Sequence, residues 1–469
     1  MDVYDQYQSP YSWRYGSIAM RKLWSELAKR RLWRRIWVAL AEIQSEYGIV
    51  TQEQVADLQA HIDQIDIDRA LEIEAETHHD VMAEVLVFAE QCQVGGGIIH
   101  LGMTSMDVVD NAEALRIRDA LQLVINQTAS VLLELCQLIE KWSDTPIMGY
   151  THLQPAEPTT LGYRLALYTQ DLYEDWRHLQ NIRGAFRAKG LKGAVGTRAS
   201  YKELFAGQDL DVVEERFSAH LGIKFADVTS QTYPRKQEYD LISTLAGVGA
   251  TLYKLAFDIR FLQTPSIGEV AEPFRTRQVG SSAMPFKRNP IQSEKIDSLA
   301  RLLAQFPRVA WDNAAHSLLE RTLDDSGNRR TILPESFLIV DELLSVSVDI
   351  LMGLEVNSAA IERNLAIYAP FAAQEALLMT LVKAGADRQE MHAILRKHAL
   401  AAWEAVQRGE TNPLNQMLMN DPQLKTYLSS QEIQVGMQKG RSYTGDAAYL
   451  ARKLASRIQA DVKTDHGLA

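Results

Sequence analysis

The chain has 469 residues, which suggests about three domains at roughly 150 residues each. Its composition, 46% hydrophobic and 23% charged, is typical of a soluble globular protein and excludes collagen-like, low-complexity and long disordered chains. A net charge of −11 excludes a general binder of polyanions, so a few local cations would have to hold an anionic substrate. The two cysteines, Cys92 and Cys136, are too few for a disulfide framework or a cysteine-rich zinc site, and they fit a reducing compartment.

The N-terminal segment, MDVYDQYQSPYSW, has neither the basic region nor the apolar region of a secretory signal peptide. No stretch approaches the roughly 20 apolar residues that span a bilayer. We therefore expect a soluble, cytoplasmic protein without a membrane partner.

Hydrophobic residues recur at helical spacing through most of the chain, whereas strand patterns are scarce. In chain order, helices are predicted over residues 17–47, after a Thr51–Gln54 capping box, and over 107–145, 159–187, 235–263, 291–319 (with a kink at Pro307) and 335–354. Shorter helices follow. The sequence thus predicts an all-α fold with an N-terminal domain over 1–104, a central long-helix bundle over 105–356 and a C-terminal helical domain over 357–469.

The two longest predicted helices carry continuous apolar seams, one from Leu121 to Trp142 and one from Leu245 to Leu262. At 1.5 Å per residue, such helices are about 45–55 Å long. One chain offers little other material to cover several rods of that length. We therefore expect other subunits to bury these seams and to complete the bundle.

A basic run at residues 29–35 invites a nucleic-acid interpretation. Glu26 and the interleaved Leu and Trp residues instead favour a solvated amphipathic face. No nucleic-acid partner is therefore predicted.

Residues 280–290, GSSAMPFKRNP, follow neither a helical nor a strand period. The simplest interpretation is a surface loop that leads into a helix at Pro290. However, successive Gly-Ser-Ser amides can form an anion-binding nest, and Lys287 and Asn289 add fixed donors. The segment therefore predicts a site for developing negative charge, with a serine as candidate nucleophile or base.

Four other segments concentrate residues that can carry chemistry. Thr77–Asp80 holds two adjacent histidines, but no zinc or iron ligand spacing accompanies them, so no metal is predicted. His100–Ser105 ends on a hydroxyl pair that would also serve as a helix N-cap. His152 lies before a predicted helix, where a structural role is the simplest interpretation. Residues 320–330 hold three arginines and Ser326, which can clamp a phosphate or form a solvated loop.

Taken together, these segments resemble the fumarase/aspartase superfamily and, within it, the adenylosuccinate lyases. GSSAMPFKRNP is similar to the superfamily signature GSSxMPxKxNP, which alone leaves fumarase, aspartase, argininosuccinate lyase and a cycloisomerase open. HHDVMAEV, IIHLGMTSMDVVDNA and GYTHLQPAEPTTLG resemble segments of adenylosuccinate lyases, and QTYPRK with ERTLDDSGNRR is similar to their nucleotide-binding stretches. The resemblance covers nearly the whole chain.

The resemblance implies a β-elimination in purine biosynthesis. Fumarate would leave adenylosuccinate to give AMP, and would leave the succinylated carboxamide SAICAR to give AICAR. Such a reaction needs a base, an acid and a group that stabilises the aci-carboxylate. By resemblance, Ser281 is the base, favoured as an alkoxide by Lys287, and His152 is the general acid, oriented by Glu294. His79 belongs to the same catalytic pocket.

The resemblance also assigns substrate contacts. The positions that bind substrate carboxylates are matched by Thr104, Ser105, Lys287 and Asn289. The contacts to phosphate and ribose are matched by Arg14, Tyr15, Arg321, Ser326 and Arg330. Asp80 and Gln231 line the same pocket, together with His78 and Lys295, at which relatives often carry Arg. The family implies no metal and no organic cofactor, and it implies a homotetramer in which three subunits build each active site.

Two alternatives stay open. The chain could be argininosuccinate lyase or another fumarate-releasing lyase, although a phosphate clamp at 321–330 would serve no purpose there. It could also be a silent scaffold, although the intact set of Ser281, His152, Lys287 and Glu294 argues against this.

Overall fold

The computed structural model describes residues 5–275, 277–280 and 282–465. Helices dominate this part of the chain, and the all-α prediction is confirmed. The helices are α1 (Pro10–Trp13), α2 (Ile18–Leu23), α3 (Glu26–Glu46), α4 (Gln52–His61), α5 (Ile67–Thr77), α6 (Asp80–Gln91), α7 (Ser105–Trp142), α8 (Leu161–Ala185), α9 (Ala199–Leu204), α10 (Leu210–Leu221), α11 (Lys236–Leu262), α12 (Ile291–Leu303), α13 (Phe306–Ala315), α14 (Asp324–Met352), α15 (Ser358–Lys383), α16 (Arg388–Gln407), α17 (Leu414–Asn420), α18 (Ser430–Gln438) and α19 (Ala447–Asp465). Short 3₁₀ turns lie at Gly96–Ile98, Leu424–Thr426 and Lys439–Ser442.

Two small antiparallel sheets accompany the helices in the described residues. The strands β1 (Pro146–Thr151) and β2 (Gln154–Thr160) form a hairpin in which Thr151 pairs with Gln154. The strands β3 (Val270–Ala271) and β4 (Glu355–Val356) form a two-residue pair. The hairpin was not expected, because Pro155 and Pro158 are residues that strands disfavour.

The chain divides into two compact units. Unit 1 comprises the described residues of Met1–Thr128, Asp175–Ala250 and Ser298–Ser345, and unit 2 those of Ala129–Glu174, Thr251–Asp297 and Val346–Ala469. The division falls within five long helices, each of which gives one part to each unit: α7, α8, α11, α12 and α14. The three-domain division at residues 104 and 356 stays a prediction.

Each unit has its own apolar core. In unit 1, Trp33 and Trp37 of α3 pack with Phe88 of α6 and Phe217 of α10. In unit 2, α15 packs with α16, α17 and α18 through a cluster of leucines that includes Leu377. Burial of these faces is the main stabilising term for both units.

The seams of α7 and α11 are buried by the chain itself. Leu121 and Leu135 on α7, and Leu245 and Val248 on α11, are each 0% exposed. The expectation that other subunits bury these seams is therefore wrong. The sequence analysis underestimated the covering material, because α14 begins at Asp324 and is longer than predicted. In unit 1, α11 approaches α12 and α14 so closely that a Cβ on Gly249 would lie 3.1 Å from Leu303.

Several predicted helix boundaries change in the structure. The helix predicted over 17–47 is two helices, α2 and α3, and the side chain of Ser25 caps the second one. The helix predicted over 291–319 breaks before Phe306, and Pro307 lies in the first turn of α13 instead of at a kink. The capping box of Thr51 and Gln54 is present as predicted.

Two described helices, α7 and α15, are long and apolar enough to cross a bilayer by length and composition. The sequence analysis did not expect any such stretch. Half of the apolar window of α7 and 39% of that of α15 is buried inside the chain. A long core helix passes the same test, and the seam of α7 belongs to the core.

Candidate active site

Unit 1 contains a pocket of about 550 Å³. Its walls come from α2 and α3, the junction of α5 and α6, the start of α7, and the start of α14. The predicted site residues that it brings together are His78, His79, Asp80, Thr104, Ser105, Gln231, Arg321, Ser326 and Arg330. These residues come from four separate stretches of the sequence.

Three helices begin at this pocket. The lining includes His79 and Asp80 at the start of α6, Thr104 and Ser105 at the start of α7, and Ser326 in the first turn of α14. The first amides of a helix lack intrahelical acceptors, and the helix dipole adds positive potential there. The convergence of three such ends favours an anionic ligand.

His79 caps α6 and also faces α7. Its Nδ1 accepts a hydrogen bond from the backbone N–H of Met82 at 3.3 Å. A neutral ring that accepts at Nδ1 carries its proton on Nε2. Nε2 lies 3.4 Å from the hydroxyl of Ser105, so His79 is set up to donate into the pocket.

The first turn of α7 is fixed by Asp107. The Asp107 carboxylate accepts from the backbone N–H of Thr104 at 3.0 Å, and the backbone N–H of Asp107 donates to the carbonyl of Thr104 at 2.9 Å. This reciprocal pair of hydrogen bonds resembles a capping box, and it fixes the backbone that carries the hydroxyls of Thr104 and Ser105.

Two of the predicted phosphate residues, Ser326 and Arg330, lie on a helix, whereas Arg321 lies just before it. Residues 324–330 form the first turns of α14, so the expected loop over 320–330 is wrong for most of its length. Asp324 and Asp325 provide the acidic first turn that stabilises a helix start. Arg330 pairs with Asp80 at 3.0 Å, and Arg321 pairs with Asp325 at 2.7 Å.

A buried ionic network supports this part of the pocket. Arg235 contacts Asp110 and Asp325, and Arg329 donates to both oxygens of Glu238 at 2.6 and 2.9 Å. Burial alone would raise the pKa of Asp325, but Arg235 and other neighbouring cations hold it below its usual value. Asp325 therefore stays ionised and keeps Arg235 and Arg321 in place.

The sequence analysis missed a second group of lining residues. Lys29 lies over the ring of Trp33 at 5.1 Å, and Arg116 over the ring of Trp24 at 4.4 Å. Tryptophans interleaved with basic residues were the signal in the sequence for these cation–π contacts. The interpretation of the basic run as a solvated face left that signal unused.

The solvated-face interpretation of residues 29–35 is partly wrong. Arg30 and Arg34 are buried and bind the carboxylate of Glu84 at 2.9 and 2.7 Å. Arg34 also donates to the carbonyl of His61 at 2.9 Å. These two arginines join α3 to α6 instead of facing solvent.

Arg14 and Tyr15 do not line the pocket. Arg14 ends α1, with its backbone N–H bonded to Pro10, and its guanidinium lies 5.6 Å from the ring of Trp13. The assignment of Arg14 and Tyr15 to the substrate phosphate stays a prediction.

In unit 2, His152 occupies the tip of the β1–β2 hairpin. His152 and Leu153 form the two-residue turn and have φ values of 52° and 61°. Such turns favour Gly, Asn or Asp, because other residues pay a steric cost at positive φ. A strained turn that exposes a histidine is typical of a functional position.

The signature segment also belongs to unit 2. Ser281 lies outside the described residues. Asn289 donates its side-chain N–H to the carbonyl of Gly280 at 2.7 Å and so closes the loop. A Cβ on Gly280 would lie 2.0 Å from the carbonyl of Lys287, so only glycine fits there. Lys287 is exposed.

Glu294 and Lys295 follow this loop in the first turn of α12. The carboxylate of Glu294 lies 3.8 Å from the guanidinium of Arg260, which also pairs with Asp297 at 2.5 Å. Lys295 is half-buried.

One group of described residues has the composition of a metal site. Ligand atoms of Asp57, His61 and Cys92 all lie within 4.8 Å of one another. All three side chains already have structural contacts. Asp57 accepts from the amides of Val94 and Gly95 at 2.8 Å, Nδ1 of His61 lies 2.9 Å from the carbonyl of Asp57, and the thiol of Cys92 lies 3.9 Å from the same carbonyl. His78, His79 and Asp80 belong to no such group.

Comparison with known proteins shows that the chain is similar to lyases over most of its length. A family model described as Lyase matches residues 16–303, and one described as Adenylosuccinate lyase C-terminus matches residues 370–454. The chain is 40% identical over 428 residues to the adenylosuccinate lyase of Schistosoma mansoni, across 90% of this chain and 89% of the relative. It is 35% identical over 458 residues to that of Pyrococcus horikoshii, across 96% of this chain and 98% of the relative.

Solved structures agree on the fold. A fumarate lyase from Mesorhizobium sp. BNC1 superimposes with a TM-score of 0.83 at 25% identity, over 96% of this chain and 99% of that one. A 3-carboxy-cis,cis-muconate lactonizing enzyme from Pseudomonas putida gives a TM-score of 0.84 at 24% identity, over 97% and 99%, and it shows the fold alone. From the full-length identities and the two family models, we conclude that the chain belongs to the adenylosuccinate lyases of the lyase family.

Proposed function

We propose that this enzyme releases fumarate from adenylosuccinate to form AMP, and from SAICAR to form AICAR. One observation supports the proposal most directly. The pocket of unit 1 brings together residues from four separate sequence segments, and the family resemblance assigns all of them to the binding of one substrate. The identity to relatives named adenylosuccinate lyase gives independent support.

The electrostatics of the pocket suit a nucleotide. Arg321 and Arg330 offer guanidinium groups of the kind that bind phosphate in a bidentate manner. Arg330 pairs with Asp80, and its side chain is 63% exposed. A phosphate dianion can therefore replace Asp80 as its partner with little desolvation cost.

The succinyl half of the substrate requires donors for two carboxylates. Thr104 and Ser105 supply hydroxyls at the start of α7, beside its free amides, and Nε2 of His79 lies next to Ser105. These donors can hydrogen-bond a substrate carboxylate. Their hydrogen bonds become stronger as negative charge accumulates on the aci-carboxylate.

The chemical step needs one proton removed and one delivered. We assign removal of the proton from the carbon beside the carboxylate to the Ser281 alkoxide, which Lys287 and the loop amides stabilise. The electron pair then expels the nitrogen of the nucleotide, which takes a proton from His152, and Glu294 orients that imidazole. Fumarate and the free amino group result, so atoms and charges balance without a metal or a cofactor.

A homotetramer with shared sites completes the proposal, in a cytoplasmic setting. Large apolar side chains stay exposed on the long helices of unit 2: Leu167 on α8 is 53% exposed, and Phe257 on α11 is 50% exposed. Exposed apolar residues on long helices are typical of subunit interfaces. The pocket of unit 1 supplies only part of the proposed chemistry. In the proposed tetramer, other copies of the chain supply His152 and Lys287.

A direct assay tests the function. Purified protein is mixed with adenylosuccinate, the loss of substrate absorbance is followed, and AMP and fumarate are identified by chromatography. Argininosuccinate serves as the control substrate. Cleavage of adenylosuccinate alone is the expected result, whereas cleavage of argininosuccinate alone would establish the alternative lyase. No cleavage of either would favour the scaffold interpretation.

A further inference from the structure

Two buried aspartates lie three residues apart at the start of α7. Asp107 and Asp110 are both 0% exposed, and neither lines the pocket. A buried carboxylate is costly unless hydrogen bonds and opposite charge compensate it. Both carboxylates are fully engaged, but with different segments of unit 1.

Asp107 organises the segment that begins α7. One oxygen accepts from the backbone N–H of Thr104 at 3.0 Å and from the hydroxyl of Tyr201 at 2.9 Å. The other accepts from the backbone N–H of Gly193 at 3.1 Å and pairs with the ammonium of Lys189 at 2.6 Å. The backbone of Thr104 is therefore tied to two other segments through one rigid carboxylate.

Asp110 is linked to a different lining residue, Arg321, through a chain of ion pairs. Its carboxylate faces the guanidinium of Arg235 at 3.1 Å and accepts from the backbone N–H of Tyr233 at 2.8 Å. Arg235 donates from Nε to Asp325 at 2.7 Å. The second oxygen of Asp325 accepts from Arg321 at 2.7 Å, and Arg321 lines the pocket.

We propose that Asp107 and Asp110 are positioning residues that act on different ends of the substrate. Asp107 holds the Thr104–Ser105 pair for the succinyl carboxylates, and Asp110, through Arg235 and Asp325, holds Arg321 for the phosphate. This inference rests on the proposed function. The two carboxylates support separate hydrogen-bonded segments, although Lys189 beside Asp107 also interacts electrostatically with Asp110 and Arg235. Each carboxylate therefore acts mainly on its own end of the pocket.

Substitution by asparagine is a sharp probe of both positions. Both oxygens of each carboxylate accept from donors, so an amide in either orientation must turn its NH₂ group toward a donor. The side-chain volume hardly changes. The supported segment loses a hydrogen bond and shifts, while the other network is left intact.

The reverse reaction separates the two ends, because AMP and fumarate then bind as separate substrates. We expect Asp107→Asn to raise the KM for fumarate roughly tenfold and to leave the KM for AMP within about twofold. We expect Asp110→Asn to do the opposite. Asp119→Asn, an exposed position on the same helix that bonds to Arg118, is the matched control and should change neither constant.

Milder variants cover the case in which an asparagine variant does not fold. Tyr201→Phe removes one donor from Asp107, and Arg235→Lys cannot bridge Asp110 and Asp325 in the same way. Tyr201→Phe should raise mainly the KM for fumarate and Arg235→Lys mainly the KM for AMP, by smaller factors than the asparagine variants. Circular dichroism checks that each variant is folded.

Equal shifts of both KM values in each variant, or no shift in folded variants, would overturn the inference. The wild-type protein is assayed first in both directions. Failure of the wild type to interconvert these compounds would reject the proposed function, whereas an active wild type without the split would reject only the roles of Asp107 and Asp110.

Discussion

At the scale of single residues, local hydrogen bonds prepare side chains for their roles before substrate binds. His79 is an example, because capping α6 fixes which ring nitrogen carries the proton. Lys189 is another: burial lowers the pKa of its ammonium, and the adjacent Asp107 opposes that effect. In both cases the residue type was visible in the sequence, but the partner that defines its state was not.

Ser281→Ala should reduce turnover by roughly 10²–10⁴-fold, because it removes the proposed base and little volume. Substrate binding should persist, since the donors that hold the substrate remain. Steady-state kinetics measures the first effect, and titration with adenylosuccinate measures the second.

Ser442→Ala, an exposed serine outside the signature segment, is the control for this experiment and should behave as wild type. Near-normal activity of Ser281→Ala would refute the assignment of the base and direct attention to Ser282 or His79.

At the scale of elements, buried ion pairs fix the position of one helix relative to another, as between α3 and α6. Glu84 of α6 is 0% exposed and receives both Arg30 and Arg34 of α3. The same helix α3 supplies Lys29 and Trp33 to the pocket. The position of this wall therefore depends on one carboxylate in the core.

Glu84→Gln should lower the free energy of unfolding by about 3–5 kcal/mol, because it removes the counter-charge of the buried Arg34 and leaves the buried Arg30 with only the more distant Glu26 and Glu74. Urea unfolding followed by circular dichroism measures the change. Glu90→Gln on the same helix breaks only an exposed pair with Arg69 and should have little effect. Similar stability of both variants would contradict the role given to the Arg30–Glu84–Arg34 group.

The β1–β2 hairpin is the element that the sequence analysis missed. Proline at 155 and 158 and the bulge between Met148 and Tyr150 conceal the strand period. The turn at His152 and Leu153 lacks the glycine or asparagine that would have revealed it. The hairpin places His152 at an exposed tip. The sequence pattern indicated only that His152 precedes a helix.

At the scale of the whole molecule, a metal is not needed for the proposed chemistry. Incubation with EDTA followed by dialysis should leave activity unchanged, because no described residue of the pocket belongs to a group of metal ligands. Activity that is lost and then restored by one divalent ion would show that interpretation to be wrong. The Asp57–His61–Cys92 group would then be the first place to look.

Shared sites predict that two inactive proteins can complement each other. His152→Ala and Ser281→Ala proteins, mixed under brief mild denaturation and returned to buffer, should recover part of the activity. Some sites in shuffled tetramers draw both residues from unmutated chains.

Native mass spectrometry of differently tagged proteins verifies subunit exchange in this experiment. Each variant carried alone through the same treatment is the control. If exchange is complete and no activity returns, His152 and Ser281 of each site belong to one subunit, and the shared-site model is refuted.

The sequence by itself determined the helical class, the long helices and the family, because these depend on local periodicity and on short motifs. Residue types singled out the segments around His79, Thr104 and Arg321, whereas the segment around Gln231 was identified only through the resemblance to the family. Local patterns carry this information because a helix or a loop motif is specified by residues that are close in the chain.

Only the tertiary structure decided which groups pair across long sequence separations. It showed that the chain covers its own seams, and that residues 324–330 begin a helix. It also showed that the buried carboxylates of Asp107 and Asp110, three residues apart on α7, bind different segments of unit 1. Hydrophobic periodicity indicates that a helix face is buried, but it does not indicate which segment covers that face. The sequence also does not show whether water or a buried partner stabilises a given charged side chain.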